Sequence, residues 1–310
     1  MSTGPLFVSS GDPAADRRYQ DALEHAGRGD FAGAVDVLAQ TVERTPRFAT
    51  AWFALGAIRE RLGDPDGAIA AFAKARDADP DDYHGARLHL ARLGAADALP
   101  EMTVVYVRRL FDQHAPSFDR TLVDRLGYRG PALLHDAVAR ARIAAGEPMR
   151  FAAMLDLGCG TGLAGVAFHP HVERLVGVDL SPLMIAEADK RKVYDRLEVA
   201  DVNAFLRAEV DAQFDLVIAA DVFVYMVDFA DTCARIARVL TPGGLLAFTV
   251  ETHSGDGIIV GGTLRYAHAP AYVMDALALA GFAVLSADPD SIRSEQGEPV
   301  PGLVVVARHN

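Results

Sequence analysis

Hydrophobic and polar positions change rhythm once along the chain. Through the first hundred residues apolar side chains recur at helical spacing, and this continues from Thr103 to about Ala145. There Val105, Leu110 and Phe111, then Leu122, Val123 and Leu126, then Leu133, Leu134 and Val138 predict three amphipathic segments. After Arg150 short apolar runs alternate with helical stretches, which predicts an α/β fold on a parallel sheet. Strands are expected near 152–157, 175–178, 197–199, 216–219 and 245–250, with helices such as 183–193 and 229–239 between them. Two further strands, near 282–286 and 302–307, follow without a helix between them and can pair as a hairpin. Seven strands of this kind differ from the six-stranded dinucleotide fold. Ala95 to Pro100 is rich in small residues and ends in proline, a boundary signal. The expected division is residues 1–99, a helical lid or linker at 100–150, and the α/β domain at 151–310.

The first hundred residues contain a repeat. A shift of 34 places Gly29-Asp30 on Gly63-Asp64, Ala34 on Ala68, Leu38 on Phe72 and Pro46 on Pro80. The pattern resembles the tetratricopeptide repeat, a pair of antiparallel helices. Gly56 and Ala68 would let helices approach, Trp52, Leu55 and Phe72 would fill the seam, and Gly63-Asp64 would turn the chain. A third helix, about 82–93, is expected to cap the stack. Such repeats either bind a protein or peptide partner or stabilise the neighbouring domain.

Composition narrows the reading. Hydrophobic residues make up 51% and charged residues 23%, enough for a substantial core. A net charge of -12 disfavours general affinity for nucleic acid or anionic membranes. Two cysteines, Cys159 and Cys233, form no zinc motif or disulfide framework. Neither a signal peptide nor an apolar run of membrane-spanning length is evident, so a cytoplasmic location is expected.

The chemistry concentrates at one strand end. Met154-Leu155-Asp156-Leu157 runs into Gly158-Cys159-Gly160-Thr161-Gly162, where alternate glycines let a ligand lie against bare backbone. Asp179 ends the next strand, where a carboxylate can accept from both hydroxyls of a ribose. An acid before three alternating glycines, with a second acid ending strand two, resembles the class I S-adenosylmethionine-dependent methyltransferase signature. The resemblance implies a seven-stranded Rossmann-like methyltransferase sheet behind an all-α tetratricopeptide-repeat domain. By it, Asp156 and Gly158 to Gly162 would hold the methionine portion of S-adenosylmethionine, and Asp179 the ribose. Leu180 and Met184 would flank the adenine, and Asp201-Val202 would meet its amine. Asp221-Val222 would lie beside the methyl group, and Leu240 to Gly244 match the turn before strand five. The rival reading is the dinucleotide fingerprint, because Gly160 to Gly165 also spells G-x-G-x-x-G. Asp179 follows Gly165 by 14 residues, short of the roughly 20 that motif expects. An acid at Asp156 would also oppose a pyrophosphate.

The acceptor is less legible. Phe111 to Asp119, including His114 and Phe118, is similar to a lid that precedes the core in many small-molecule methyltransferases, with Phe where Tyr is common. Glu251-Thr252-His253 leaves strand five, and Arg265-Tyr266-Ala267-His268 ends a glycine-rich stretch that reads as a mobile loop. His253, His268, His114 and Tyr266 are the candidate acid–base groups, and Arg265 could pair with an acidic group on the substrate. No metal ligands are expected. Asp221-Val222-Phe223-Val224 lacks the prolines of the exocyclic-amine enzymes of nucleic acids, and no cysteine lies where a cytosine-attacking nucleophile would. The whole order of parts resembles a group of bacterial predicted methyltransferases carrying such repeats. Three readings follow: a small-molecule O-, N- or C-methyltransferase, a protein methyltransferase recruiting its target through the repeats, or a repeat scaffold with a cofactor-sensing core.

Overall fold

Gly29 and Gly63 both take left-handed backbone, at φ of 82° and 78°, and each precedes an aspartate that starts a helix. Asp30 Oδ1 accepts from Gly33 N at 2.9 Å, and Asp64 Oδ1 from Gly67 N at 2.9 Å. These repeated caps satisfy amide donors that a helix start leaves open, and they set the period of the first unit. It contains α1 (Pro13–Gly27), α2 (Phe31–Arg44), α3 (Ala49–Arg61), α4 (Pro65–Ala78) and α5 (Ala86–Arg92). A Cβ on Gly56 would lie 2.8 Å from the Phe72 ring, so the α3–α4 contact depends on that glycine. The capping helix starts later than expected, because Asp82 and Gly85 are left-handed (φ 51° and 75°) and break the helical path before Ala86.

The computed structural model describes residues 7–96, 98–115, 118–120, 127–295 and 297–310. It separates into two compact units rather than three segments: residues up to Tyr106 with Gly262–Leu264, and Val107–Gly261 with Arg265–Asn310. The boundary falls inside α6 (Val104–His114). The middle amphipathic segment expected around Leu122, Val123 and Leu126 lies outside the described residues. The third is α7 (Gly130–Ala144), whose Leu134, Ala137 and Val138 pack on the sheet, so it belongs to the α/β unit and not to a separate linker.

The second unit is built on β1 (Phe151–Leu157), β2 (Val172–Asp179), β3 (Arg196–Val199), β4 (Phe214–Ala219) and β5 (Leu240–Thr252), in the parallel order β3-β2-β1-β4-β5. The apolar runs within β1, β2, β4 and β5 are those of strands covered on both faces, while the edge strand β3 is partly exposed. One face carries α7 and α8 (Leu163–Phe168), and the other α10 (Val202–Ala208), α11 (Ala230–Val239) and α12 (Pro270–Leu279). The helix after β2, α9 (Pro182–Asp189), starts at a Ser181 cap.

Two short strands were not expected: β6 (Ile258–Val260) and β7 (Tyr266–His268) form a hairpin. Within the glycine-rich stretch after β5, Ile258–Val260 is therefore paired backbone, with bends and turns on either side. The closing strands β8 (Phe282–Glu295) and β9 (Glu298–His309) form the expected hairpin, with β9 antiparallel to β5. Because β9 takes one edge of Glu251, β7 occupies the other, just beyond Phe248 where pairing with β4 ends. That exchange of neighbours brings Arg265 to the carboxyl end of β4.

Candidate active site

Leaving β1, the chain turns through Gly158, Gly160 and Gly162, all at positive φ (61°, 53° and 87°). Side chains with a Cβ disfavour that region, so the turn requires glycine. Cys159 N donates to Val178 O at 3.0 Å and ties the loop to β2. Burial pushes the Cys159 thiol well above its ordinary range, which suits packing and not nucleophilic chemistry. Val222 fills the space a Cβ on Gly158 would need, with Cγ2 2.6 Å from it.

Two carboxylates frame this turn. Asp179 Oδ2 accepts from Gly160 N at 2.9 Å and Oδ1 from Ser181 N at 2.8 Å. Burial pushes its carboxyl up to about 6 against those hydrogen bonds, and each oxygen retains a second lone pair. Asp156 Oδ2 accepts from the Tyr194 hydroxyl at 2.7 Å, while its buried Oδ1 has no partner. Burial raises this carboxyl to about 7. A buried acceptor without a donor is a seat for a cationic or N–H group.

A roof crosses the loop. Ser181 Oγ donates to Asp112 Oδ1 at 2.5 Å, and Thr161 Oγ1 to Asp119 Oδ1 at 2.5 Å. Arg191 pairs with Asp119, and its Nε donates to Thr161 O at 3.2 Å. The Phe118 ring lies 4.0 Å from the position of a Cβ on Gly160. Phe111 meets Phe118 at 6.1 Å and Tyr225 edge-on at 5.2 Å. Pro116 and Ser117, within the same motif, lie outside the described residues.

Beyond the aromatics is a charged cluster. Arg265 Nη1 donates to Asp221 Oδ2 at 2.7 Å and to Glu251 Oε1 at 3.4 Å, with the guanidinium over the Tyr225 ring at 5.2 Å. Arg293, only 3% exposed, donates to Glu251 Oε1 at 2.7 Å. Burial, with the nearby Asp221 carboxylate, raises the Tyr128 hydroxyl well above the usual range, Arg265 opposing the shift and Asp156 adding to it. Tyr128, Tyr225, Tyr194 and Arg293 were given no role from sequence, and the partners of Asp112 and Asp119 in the lid motif and of Glu251 after strand five were not foreseen. Each acts through a partner more than thirty positions away, and a local motif carries no such signal.

Other expected residues fall elsewhere. His268 is fully buried between Phe229 and Tyr272, and its Nε2 faces the carbonyls of Met226 (3.0 Å) and Val227 (3.3 Å). Burial lowers its imidazole to about 4, so it is a neutral brace for the turn after β4 and not a base facing the site. His253 is committed to its own turn, with Nδ1 accepting from Gly255 N at 3.1 Å and Nε2 facing Gly257 O at 3.3 Å. Tyr266 is buried in β7. His114 is half-buried at the end of α6, and burial lowers its imidazole. Leu180 is half-exposed beside Asp179, whereas Met184 is wholly buried. Asp201 caps α10 by accepting from Ala204 N at 2.9 Å, and Val202 joins the core. Arg265 is already matched by two carboxylates, which argues against its capture of an acidic substrate group. Among the described residues no His, Cys, Asp and Glu group has a metal-holding arrangement, and no helix is long and apolar enough to cross a membrane.

Residues 155–248 match the model of a methyltransferase domain, and residues 19–83 match a tetratricopeptide repeat. The chain is 30% identical to human methyltransferase-like protein 27 over 194 residues, which span 62% of this chain and 73% of that protein. It belongs to the S-adenosylmethionine-dependent methyltransferases. This methyltransferase is also 37% identical over 100 residues to malonyl-[acyl-carrier protein] O-methyltransferase of Enterobacter lignolyticus, covering 32% of this chain and 39% of that one. Its fold is similar to that of 1,6-didemethyltoxoflavin-N1-methyltransferase of Burkholderia thailandensis, solved with S-adenosylhomocysteine. That likeness has TM-score 0.50 and 21% identity, over 69% of this chain and 93% of the other. The residues present suit the methyl donor: a bare-backbone turn, a buried acceptor at Asp156, and a carboxylate with free lone pairs at Asp179. A pyrophosphate would instead face two buried carboxylates.

Proposed function

We propose that this methyltransferase alkylates a small molecule, at oxygen, nitrogen or carbon, beneath the roof formed by Phe111, Phe118 and Tyr225. The carrying observation is the pair of carboxylate contacts, Asp112 to Ser181 and Asp119 to Thr161, that hold the roof across the glycine loop. A closed roof excludes water and favours an acceptor small enough to be enclosed. In this reading Asp179 holds the ribose hydroxyls, and Asp156 with Gly158, Cys159, Gly160, Thr161 and Gly162 holds the methionine end. Leu180 lines the adenine side, and Asp201 lies toward the adenine amine. When bound, the cofactor supplies an electrophilic methyl carbon on a sulfonium.

The test is incubation of the enzyme with methyl-labelled S-adenosylmethionine and a cell extract, followed by separation of protein from small molecules. Label in the small-molecule fraction supports the reading. Label confined to polypeptide overturns it in favour of target recruitment through the repeats, which the match over residues 19–83 would explain.

A further inference from the structure

Asp221 stands two residues past the end of β4 in left-handed backbone, at φ 62°. A non-glycine residue is uncommon there and is a local strain, one an aspartate tolerates better than most. Two hydrogen bonds hold it, and its neighbour packs over the glycine turn. Its backbone N donates to Thr249 Oγ1 at 2.8 Å, its Oδ2 accepts from Arg265 Nη1 at 2.7 Å, and its neighbour Val222 fills the gap over Gly158. One carboxylate oxygen is therefore fixed and the other is free: Asp221 Oδ1 is buried without a hydrogen-bond partner. Such an atom in a well-packed site calls for a donor from outside the chain.

Charge matching says what kind of donor. Arg265 and Arg293 face three carboxylates, Asp221, Glu251 and Glu295, so the cluster carries no excess cation for an anionic ligand, although Arg293 Nη1 is itself buried without a hydrogen-bond partner. What it leaves open on Asp221 is an acceptor oxygen, at the strand end beside the glycine loop and next to the aromatic roof. Resting on the small-molecule reading above, we infer that the acceptor is a hydroxyl or amine compound, and that Asp221 Oδ1 takes its proton during methyl transfer. Arg265 is a positioning residue that fixes the other oxygen. In the step, the lone pair of the acceptor oxygen or nitrogen forms the bond to the methyl carbon. The carbon–sulfur bond breaks with its electrons returning to sulfur, and the O–H or N–H proton passes to Asp221 Oδ1 and then to water. Carboxylate acceptors, which carry no proton to lose and would face Asp221 as a like charge, are excluded from this class.

The test uses the full chain with methyl-labelled S-adenosylmethionine and the ultrafiltered small-molecule fraction of a cell extract. Asp221→Asn and Asp221→Gly are the variants, because both residues accept positive φ. The wild type is expected to give ethers or methylamines, identified by the carbon chemical shift of the new methyl group. Asp221→Asn is expected to lose about 10²- to 10⁴-fold in kcat. Calorimetry should find S-adenosylmethionine affinity within about threefold of wild type, a loss below 1 kcal/mol. Sodium formate should restore part of the activity of Asp221→Gly, since it can seat a carboxylate in the vacated space, and a purely structural role would not respond to it. Methyl esters or thioethers as the products, an Asp221→Asn kcat within about threefold of wild type, or loss of cofactor binding in that variant would overturn the inference. Label only on polypeptide would instead overturn the small-molecule reading on which it rests.

Discussion

The Tyr194 hydroxyl donates to Asp156 Oδ2 at 2.7 Å through a slot walled by glycines. A Cβ on Gly165 would lie 2.3 Å from that hydroxyl, and one on Gly177 would lie 2.7 Å from the ring. The slot is the route by which a residue 38 positions away reaches and orients the acid before the glycine turn. Tyr194→Phe removes this donor from a buried carboxylate and is expected to cost about 1–3 kcal/mol of stability. Gly165→Ala should push the ring out of its slot and weaken cofactor binding as well. Urea denaturation and calorimetry check the two effects. An unchanged unfolding midpoint in Tyr194→Phe would contradict the assignment.

The roof contacts predict a different pattern. Asp112 and Asp119 keep 28% and 41% of their side chains exposed, so removing their charges should barely change folding stability. The double variant Asp112→Asn, Asp119→Asn should instead loosen the roof and weaken S-adenosylmethionine binding by about tenfold, or 1.4 kcal/mol. Calorimetry at equal melting temperature measures this, and unchanged affinity would mean that the roof does not retain the cofactor.

Protonation of the buried acids gives a pH signature. Burial pushes the Asp156 carboxyl up to about 7 from an ordinary 3.8, and the Asp179 carboxyl up to about 6. Their contribution to stability is full below pH 3.8 and is lost as pH rises through 6 and 7, because the folded chain holds the extra protons. Asp156→Asn removes one source of that loss. Its melting temperature relative to wild type should therefore climb between pH 5 and pH 8, measured without cofactor. A difference that stays flat or falls across that range would count against the burial of Asp156.

His268 has the opposite sign. Its imidazole is lowered to about 4 from 6.5, so its contribution is present above 6.5 and lost as pH falls through 4, about 3 kcal/mol in all. His268→Gln is expected to retain a donor to Met226 O and methyl transfer within about tenfold of wild type, while losing this acid sensitivity. A far larger fall in kcat at an unchanged melting temperature would restore His268 as the base.

Local signals carried much of this architecture. Gly29-Asp30 and Gly63-Asp64 announce their turns because a left-handed glycine and a helix cap are properties of two adjacent residues. The Asp156 to Gly162 turn is legible for the same reason. The G-x-G-x-x-G string remained ambiguous because its last member, Gly165, is also required to make room for Tyr194. The β6–β7 hairpin was hidden by its glycines, which suggest mobility until pairing with β5 is seen. His268 resembled a base because its position after a strand end is right. Only the packing of Phe229 and Tyr272 around it, and the carbonyls at its Nε2, reveal a brace. The cluster of Asp221, Glu251, Arg265 and Arg293 draws on four separate segments, so no spacing rule could assemble it.

In the proposed site the turn from Asp156 to Gly162, with Asp179, holds S-adenosylmethionine and not a dinucleotide. Calorimetry of the wild type and Asp179→Ala with S-adenosylmethionine, S-adenosylhomocysteine and NAD tests it most directly. The wild type should bind both sulfur compounds at one site per chain and show no heat with NAD, and Asp179→Ala should lose at least about tenfold in affinity for both. Binding of NAD alone, or full affinity in Asp179→Ala, would contradict it.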